Sequence, residues 1–541
     1  MTGPVSAVKK SEWSRLAVLF APALVLLTPF VSFLKFQGYP LFTVEVGYLA
    51  GFIVVLSLVL SCIIKWGGRL GAALIVAAAL TCFADFQFEV RITYLAVGCV
   101  VLVGLGLFLA RPLMPILAVV FGVVLLSTLI LPAQLRDAGL PLASDKDIRR
   151  DLPPILHIIL DEQIGIEGIE QTTTWEKRAR ADLKAFYLEN GFRLYGGAYS
   201  NYTETFNSIP NLLNNTLSSK SWAYVENGSD GLSAVTENAY LRGYAQRGYG
   251  IRIYQSKYFN FCEAPSLALL SCKSYNYTGL NNLDALTDEA AVRAKLILAR
   301  FLNRSRIYGL GRSVYQGLAT RGFLNLGRIE NNNFAPLASY PFFGILQNDL
   351  AKGPGGQVFF AHLLIPHRPF MFGANCDLVL DHAYDHLERR SPEWLVEYRK
   401  AYFEQVACTT KLMSELFERL KKAGVYDSMT IVVHGDHGSR IGPVSPKVDT
   451  WPSFDLPMLR AQYSTLFAIK APGIDAGYDD RLFSLGGLVN SVAGRSGNAF
   501  DPSPDVEHVV FLEGKKGALL EKRRLRDFRI PGSGPSAESV K

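Results

Sequence analysis

The chain has 541 residues, 49% of them hydrophobic, and a positive mean hydropathy, which excludes both a single ordinary domain and a wholly soluble protein. Its formal net charge of +7 is modest and spread along the sequence, and no nucleic-acid motif accompanies it, so no nucleic-acid partner is expected. Nor is there an internal repeat.

The apolar residues are concentrated at the front. Segments near 13–34, 46–64, 70–88, 92–110 and 113–132 are mostly apolar and about 18–22 residues long, enough at about 1.5 Å per residue to cross a hydrocarbon core. The sequence therefore predicts about five transmembrane helices in a membrane domain at 1–133, or four if the third segment, which carries Asp85 near its end, is discounted. Lys9, Lys10, Arg15, Lys65, Arg69 and Arg111 fall on one side of a five-span arrangement, while Glu45, Asp85 and Glu89 fall on the other, with Lys35 and Arg91 as exceptions. By the positive-inside rule the N-terminus is cytoplasmic and the large C-terminal part extracytoplasmic, which places the protein in the inner (cytoplasmic) membrane.

A mixed, charged stretch at 134–154 ends in Pro153-Pro154 and reads as a linker. The run Ile155–Leu160 is unbroken in its apolar character, as in a strand buried on both faces, and delivers Asp161 and Glu162 at its end. Read alone, Asp161 serves equally as a metal ligand or as a helix cap. Helical spacing from Trp175 to Asn190 stops at Gly191. Further strands are expected at Phe192–Tyr195, Tyr249–Tyr254, Gln357–Leu364, Met429–Val433 and Thr465–Ile469, with a helix at Glu393–Gly424. Strands alternating with helices predict an α/β domain with a largely parallel central sheet at 155–515, and such sheets bind ligands beyond the carboxyl ends of their strands.

Three further polar clusters interrupt this pattern. Tyr202-Thr203-Glu204-Thr205-Phe206-Asn207-Ser208-Ile209-Pro210 offers hydroxyls ahead of a helix start, as caps or as a nucleophile toward phosphorus or sulfur. His362 and His367 stand in and just after the third of these further strands, with His367 and Arg368 held between Pro366 and Pro369. Thr430–Val433 leads into His434-Gly435-Asp436-His437-Gly438, where a carboxylate beside an imidazole suits a metal such as zinc, and Gly435 and Gly438 are expected to let the backbone turn sharply. His157 reads as structural, and His382, His386 and His508 carry no comparable pattern.

Of seven cysteines, Cys62, Cys82 and Cys99 lie in apolar spans. Cys262, Cys272, Cys376 and Cys408 are external. Proximity pairs Cys262 with Cys272 and leaves Cys376 with Cys408, although four cysteines permit other connectivities. The segment 516–541 is a basic tail that becomes Gly/Ser/Pro-rich and disordered, and its basic run from Lys515 to Arg529 suits either solvent or anionic headgroups.

The order of these motifs resembles the sulfatase-like members of the alkaline phosphatase superfamily: an acidic residue at the first strand end, Thr-x-x-Ser-x-Pro, two histidines five apart, then Asp-His-Gly. It is most similar to membrane-bound phosphoethanolamine transferases and, less closely, to lipoteichoic acid synthases. The resemblance implies an alkaline phosphatase/sulfatase-like fold, Thr205 as nucleophile, and a divalent cation held by Asp161, Thr205, Asp436 and His437. The cation is expected to be zinc, with manganese as the alternative. His362 and His367 are implied to contact substrate or a second metal, with His367 as the acid toward a leaving oxygen. Two features depart from the family. The Cys/Ser-x-Pro-x-Arg pattern of sulfatases is absent from the Thr205 segment, and Ser439 to Asp455 has no histidine, only Arg440 and Lys447 as basic residues.

These readings imply a membrane-bound transferase that moves a phosphoryl-linked headgroup, of phosphoethanolamine or phosphoglycerol type, from a phospholipid donor to an envelope glycan or glycolipid. With water as acceptor the same residues make a phosphoester or sulfoester hydrolase. A non-catalytic lipid-binding sensor is the third alternative.

Overall fold

The computed structural model describes residues 5–524 apart from 89, 131–141, 144–147, 229–230, 276–279, 281–282, 320–334, 353–354, 443–455, 495–499, 506 and 514–519. Lys447, most of the linker and the end of the basic tail lie outside the described residues. In chain order the elements open with α1 (Val5–Phe36), α2 (Val44–Phe88) and α3 (Ile92–Ile130). They continue with β1 (Ile155–Leu160), α4 (Thr174–Glu189), β2 (Arg193–Tyr199), α5 (Thr205–Leu213), β3 (Val225–Asn227), β4 (Ser233–Val235), α6 (Ala239–Gln246), β5 (Gly250–Ser256) and β6 (Leu269–Tyr275). Then follow α7 (Ala290–Leu302), α8 (Arg306–Ala319), α9 (Ala335–Leu350), β7 (Gln357–Leu363), α10 (Pro392–Lys422) and β8 (Thr430–Gly435). The chain closes with α11 (Leu456–Tyr463), β9 (Phe467–Lys470), β10 (Gly477–Ser484), α12 (Leu485–Ala493), β11 (Val509–Glu513) and β12 (Leu520–Arg524).

These elements form two compact units: Met1–Asp137 with Gly279–Asn332, and Ala138–Thr278 with Asn333–Lys541. In the first, four helical segments among the described residues are long and apolar enough to cross a membrane: Val44–Cys62, Trp66–Phe88, Ile92–Leu109 and Leu113–Ile130. Phe20–Phe36 is apolar but shorter, and the side chains of the first predicted span before Phe20 lie outside the described residues. Gly68, at φ 58° and ψ −136°, breaks α2 between its two apolar segments, a conformation only glycine adopts without strain.

Packing in this unit is periodic. Ala21 meets Ala72, Val76 and Met114, and Val25 meets Ala79 and Phe121, so three apolar segments run side by side in one direction. A Cβ on Gly106 would stand 2.9 Å from the Ala73 Cα, so that crossing requires glycine.

The second piece of this unit, Gly279–Asn332, comes from within what the sequence reading drew as one continuous domain at 155–515. Phe301 on α7 stacks on Phe86 at 4.2 Å and meets Phe30 and Phe33 edge-on or tilted at 5.3 and 5.4 Å. Arg293 pairs with buried Glu45 at 3.2 Å, and the Tyr39 hydroxyl donates to the same carboxylate. Buried Asp85 accepts from Ser305 Oγ at 2.6 Å, Arg306 N–H at 2.9 Å and Ile307 N–H at 3.1 Å, which caps the N-terminus of α8.

The second unit is an α/β domain whose eight-stranded sheet runs β10-β2-β9-β8-β1-β7-β5-β6. It is parallel except for β9, which pairs antiparallel with both β8 and β2. β1 lies between β7 and β8, with Leu160 opposite both Leu363 and Gly435, so their carboxyl ends are level. All three strands are buried along their whole length, as their unbroken apolar runs require. α4 starts with a reciprocal capping box between Thr173 and Glu176, and Gly191, at φ 80°, follows its end. The disulfides Cys262–Cys272 and Cys376–Cys408 are both formed. β12 pairs with β11, so this unit continues into residues that the sequence reading gave to the tail.

Candidate active site

Asp161 follows β1, Asp436 and His437 follow β8, and His362 is the penultimate residue of β7. All four are buried within 1% of full enclosure, because the sheet centre is covered by helices and the strand ends point under the following loops. Asp161 belongs to two clusters of close ligand atoms, one with His362 and Asp436 and one with Glu162 and His437, the atoms of each lying within 4.8 Å of one another. The sequence sets Asp161, Thr205, Asp436 and His437 together as ligands and gives His362, with His367, to the substrate or a second metal. The structure brings His362 to the same carboxylate, Nε2 standing 3.3 Å from Asp161 Oδ2.

Asp436 is fixed from three sides. Its Oδ1 accepts from the Glu162 N–H at 3.0 Å and the His437 N–H at 2.9 Å, and its Oδ2 accepts from the Thr205 hydroxyl at 2.8 Å. Burial alone would push this carboxyl up, but the His437 and His362 imidazoles and these donors outweigh it and hold it below the usual carboxylate range. His437 Nδ1 donates to Gly438 O at 2.7 Å, which turns its Nε2 toward Asp436 Oδ2 at 3.4 Å. Ser208 Oγ donates to the Asp436 carbonyl at 2.5 Å, tying α5 to this loop.

The donor set fits a divalent cation. Both oxygens of Asp161, both nitrogens of His362, Glu162 Oε1 and His437 Nε2 are buried without a hydrogen-bond partner among the described residues. Enclosed carboxylates without compensation cost several kcal/mol each, roughly, and a cation removes that cost. Mixed carboxylate and imidazole ligation suits zinc or manganese.

Glu162, which by sequence could serve as a ligand instead of Asp161 or as well, sits at φ 61°, an uncommon position for a residue with a Cβ. The Tyr402 hydroxyl on α10 holds it there, donating to Glu162 O at 2.6 Å and accepting from the Ile164 N–H at 3.0 Å. Burial would raise the Glu162 carboxyl, but His367, Arg440 and His437 more than offset this and hold it low. Arg440 stands 3.4 Å from Glu162 and 3.3 Å from Glu204, and its guanidinium donates to Thr203 O at 3.0 Å. Its position against the Thr203–Thr205 segment was not legible from sequence, since only folding brings the Asp-His-Gly loop against Glu204.

The two glycines of that loop act differently from expectation. Neither has a positive φ; instead a Cβ on Gly435 would stand 2.5 Å from Gln163 O, and one on Gly438 would stand 2.3 Å from Ala461 O. Close packing rather than a sharp turn is what demands them.

Thr205 is the first residue of α5 and is buried, with its Oγ1 against Asp436 and the N-terminal end of the helix beside it. His367 lies at the rim, 18% exposed, with Nε2 3.6 Å from Glu162 Oε1. Its loop hangs on Gln405 of α10, whose Nε2 donates to Pro366 O and His367 O, both at 2.9 Å, while its Oε1 accepts from the Met371 N–H at 2.7 Å. Gln405→Leu is expected to cut turnover about 10- to 100-fold by letting the loop drift, with metal content unchanged. Parallel loss of metal, measured by inductively coupled plasma mass spectrometry, would refute a purely positioning role.

Behind the site, His434 Nδ1 donates to Gly435 O at 2.8 Å, so His157 Nε2 donates to His434 Nε2 at 2.7 Å and the Tyr240 hydroxyl donates to His157 Nδ1 at 2.8 Å. Burial keeps both imidazoles neutral, lowering His157 well below its ordinary value and His434 to about 4. An unfolded imidazole takes its proton near pH ~6.5, so below that pH the unfolded state binds more protons and stability falls as the pH falls toward 4. The melting temperature of metal-free protein should therefore drop between pH 7 and pH 5, and drop less in His157→Gln, which keeps both hydrogen bonds. An equal or larger drop in the variant would contradict this.

No family model matches the chain, and no curated protein matches it. Among solved structures, it is similar to BT1596, a 2-O GAG sulfatase, at 10% identity and TM-score 0.42, covering 71% of this chain and 88% of that one. It is similar to the phosphonate monoester hydrolase of Agrobacterium radiobacter at 14% identity and TM-score 0.41, covering 68% and 82%. The lipoteichoic acid synthase LtaP from Listeria monocytogenes gives 11% identity and TM-score 0.36, covering 71% and 88%. At these values the likeness assigns neither substrate nor reaction to this chain.

Proposed function

We propose that the protein is a membrane-bound, metal-dependent transferase that moves a phosphoryl-linked headgroup, of phosphoethanolamine or phosphoglycerol type, from a phospholipid to an envelope glycan or glycolipid. The observation that carries this reading is Thr205: a buried hydroxyl at a helix start, hydrogen-bonded to Asp436 beside carboxylate and imidazole atoms of Asp161, Glu162, His362 and His437 that have no hydrogen-bond partner among the described residues. Its motif order supports the same reading through the resemblance to phosphoethanolamine transferases. The apolar helices of the first unit, long enough to cross a membrane, support a reading in which a lipid donor is at hand.

Asp161, Asp436, His437 and Thr205 would hold the cation, with His362 and Glu162 close enough to join them or to hold a second ion. The bound cation supplies charge neutralisation at phosphorus and acidifies a coordinated hydroxyl. Thr205 Oγ1 would give up its proton to water and attack the donor phosphodiester, diacylglycerol would leave with a proton from His367, and a phospho-threonine diester bearing the headgroup would remain. The acceptor hydroxyl would then pass its proton to His367 as it displaces Thr205, which takes a proton back from water. Arg440 faces the non-bridging oxygens from the Glu204 side.

The test is lipid and glycan mass spectrometry on a deletion strain complemented with the intact gene or with Thr205→Ala. A headgroup-bearing glycan or glycolipid that returns only with the intact gene supports transfer. Diacylglycerol release with no modified acceptor assigns hydrolysis instead, and lipid binding without turnover assigns a sensor.

A further inference from the structure

The first unit leaves one amphipathic surface unexplained. Along α8, Ile307, Leu310 and Val314 recur at helical spacing and are 39%, 55% and 57% exposed. An apolar stripe of this kind, on a helix outside the spans, needs an occupant. Its N-terminus is fixed by Asp85, three residues before the end of the apolar segment Trp66–Phe88, so the stripe begins where that span ends. The sequence from Asn303 to Ala319 carries arginines at 304, 306 and 312 and no acidic residue. Arg306 is exposed, and the Arg304 guanidinium lies 5.7 Å over the Phe33 ring.

We propose that α8 is an interfacial helix, its apolar stripe covered by the headgroup and acyl boundary of the bilayer, with arginines around it taking anionic lipid phosphate. Continuity with the span through Asp85 and the one-sided positive charge select a lipid surface over a second protein. The inserted segment Gly279–Asn332 would thereby tie the chain between β6 and α9 to the membrane surface as well as to the helices. The proposal rests on reading α2 and α3 as membrane-crossing, and the span control below tests that reading separately.

The full-length protein, with Cys62, Cys82 and Cys99 replaced by serine, would carry an environment-sensitive fluorophore on Leu310→Cys, Val119→Cys or Asp427→Cys. Val119 is 66% exposed on a candidate span, and the Asp427 side chain is 96% exposed in the other unit. Each is reconstituted into phosphatidylcholine vesicles with and without phosphatidylglycerol. Brominated lipid should quench the Leu310 label, iodide should reach it several-fold less than the Asp427 label, and phosphatidylglycerol should strengthen both effects. A Leu310 label as open to iodide as Asp427 and untouched by brominated lipid would overturn the proposal, and so would iodide protection without lipid quenching, which assigns the face to a protein. If Val119 also escapes lipid quenching, the membrane reading itself fails. If only Leu310 escapes, α8 alone is misplaced. A melting temperature for each labelled variant close to that of the parent shows that the exposed substitution left the fold intact.

Discussion

Thr205→Ala is expected to lower turnover by roughly 10³-fold or more, because a reaction that passes through a covalent intermediate has no substitute for its nucleophile. The fold should survive. Oγ1 contributes one hydrogen bond to Asp436, and two backbone donors keep that carboxylate in place. Losing one bond to a charged acceptor costs about 1.5–3 kcal/mol, which leaves most domains folded. Thr203→Ala should retain most activity, since Thr203 reaches the site through its carbonyl, which accepts from Arg440 and is unchanged by the substitution. Intact-protein mass spectrometry after exposure to donor lipid should place an adduct on the peptide containing Thr205 in the parent and none in Thr205→Ala. Normal turnover in that variant, or an adduct mapped elsewhere, defeats the covalent mechanism.

The second large effect concerns metal. Purified parent protein should carry at least one tightly held divalent ion, and added ion should raise the melting temperature of stripped protein, by about 2.7 kcal/mol in stability at a hundredfold excess over the dissociation constant. Asp436→Ala should abolish that rise, and Asp436→Asn should weaken it, since an amide oxygen in the place of Oδ1 still accepts both N–H groups but carries no charge. In stripped protein the two variants separate charge from hydrogen bonding. Asp436→Asn removes one of several crowded carboxylates while keeping shape, so it should lose less stability than Asp436→Ala, which orphans the Glu162 and His437 N–H groups. Full metal occupancy in Asp436→Ala, measured by elemental analysis, would show that Asp436 is not a ligand.

Local features were legible in the sequence. The buried strand runs showed as unbroken apolar segments, and Asp161, Asp436 and His437 stood at their ends because a parallel sheet places polar residues only there. What depended on register and packing was not. His362 joins Asp161 because β7 pairs with β1 in a register that sets Ile159 opposite His362, a fact no single-strand pattern contains. Glu162 needs its left-handed backbone, imposed by Tyr402 from a helix about 240 residues away. The antiparallel β9 looks like any short apolar strand until its neighbours are known. Most of all, α7 and α8 have the amphipathic spacing of ordinary domain helices, and only their partners Glu45, Asp85 and the Phe30–Phe33–Phe86 cluster show where they belong.

The Asp85 cap also sets an order of events during biosynthesis. Its partner Ser305 is made 220 residues later, which at about 5–20 residues per second means a delay of roughly 10–40 s after Asp85 itself leaves the ribosome. Through that interval the helices at the front of the chain hold a carboxylate whose partners do not yet exist, and Glu45 waits similarly for Arg293. A fragment ending at residue 137 would keep both acids and never acquire either partner, so the helical unit is completed only when a later stretch of the chain returns to it.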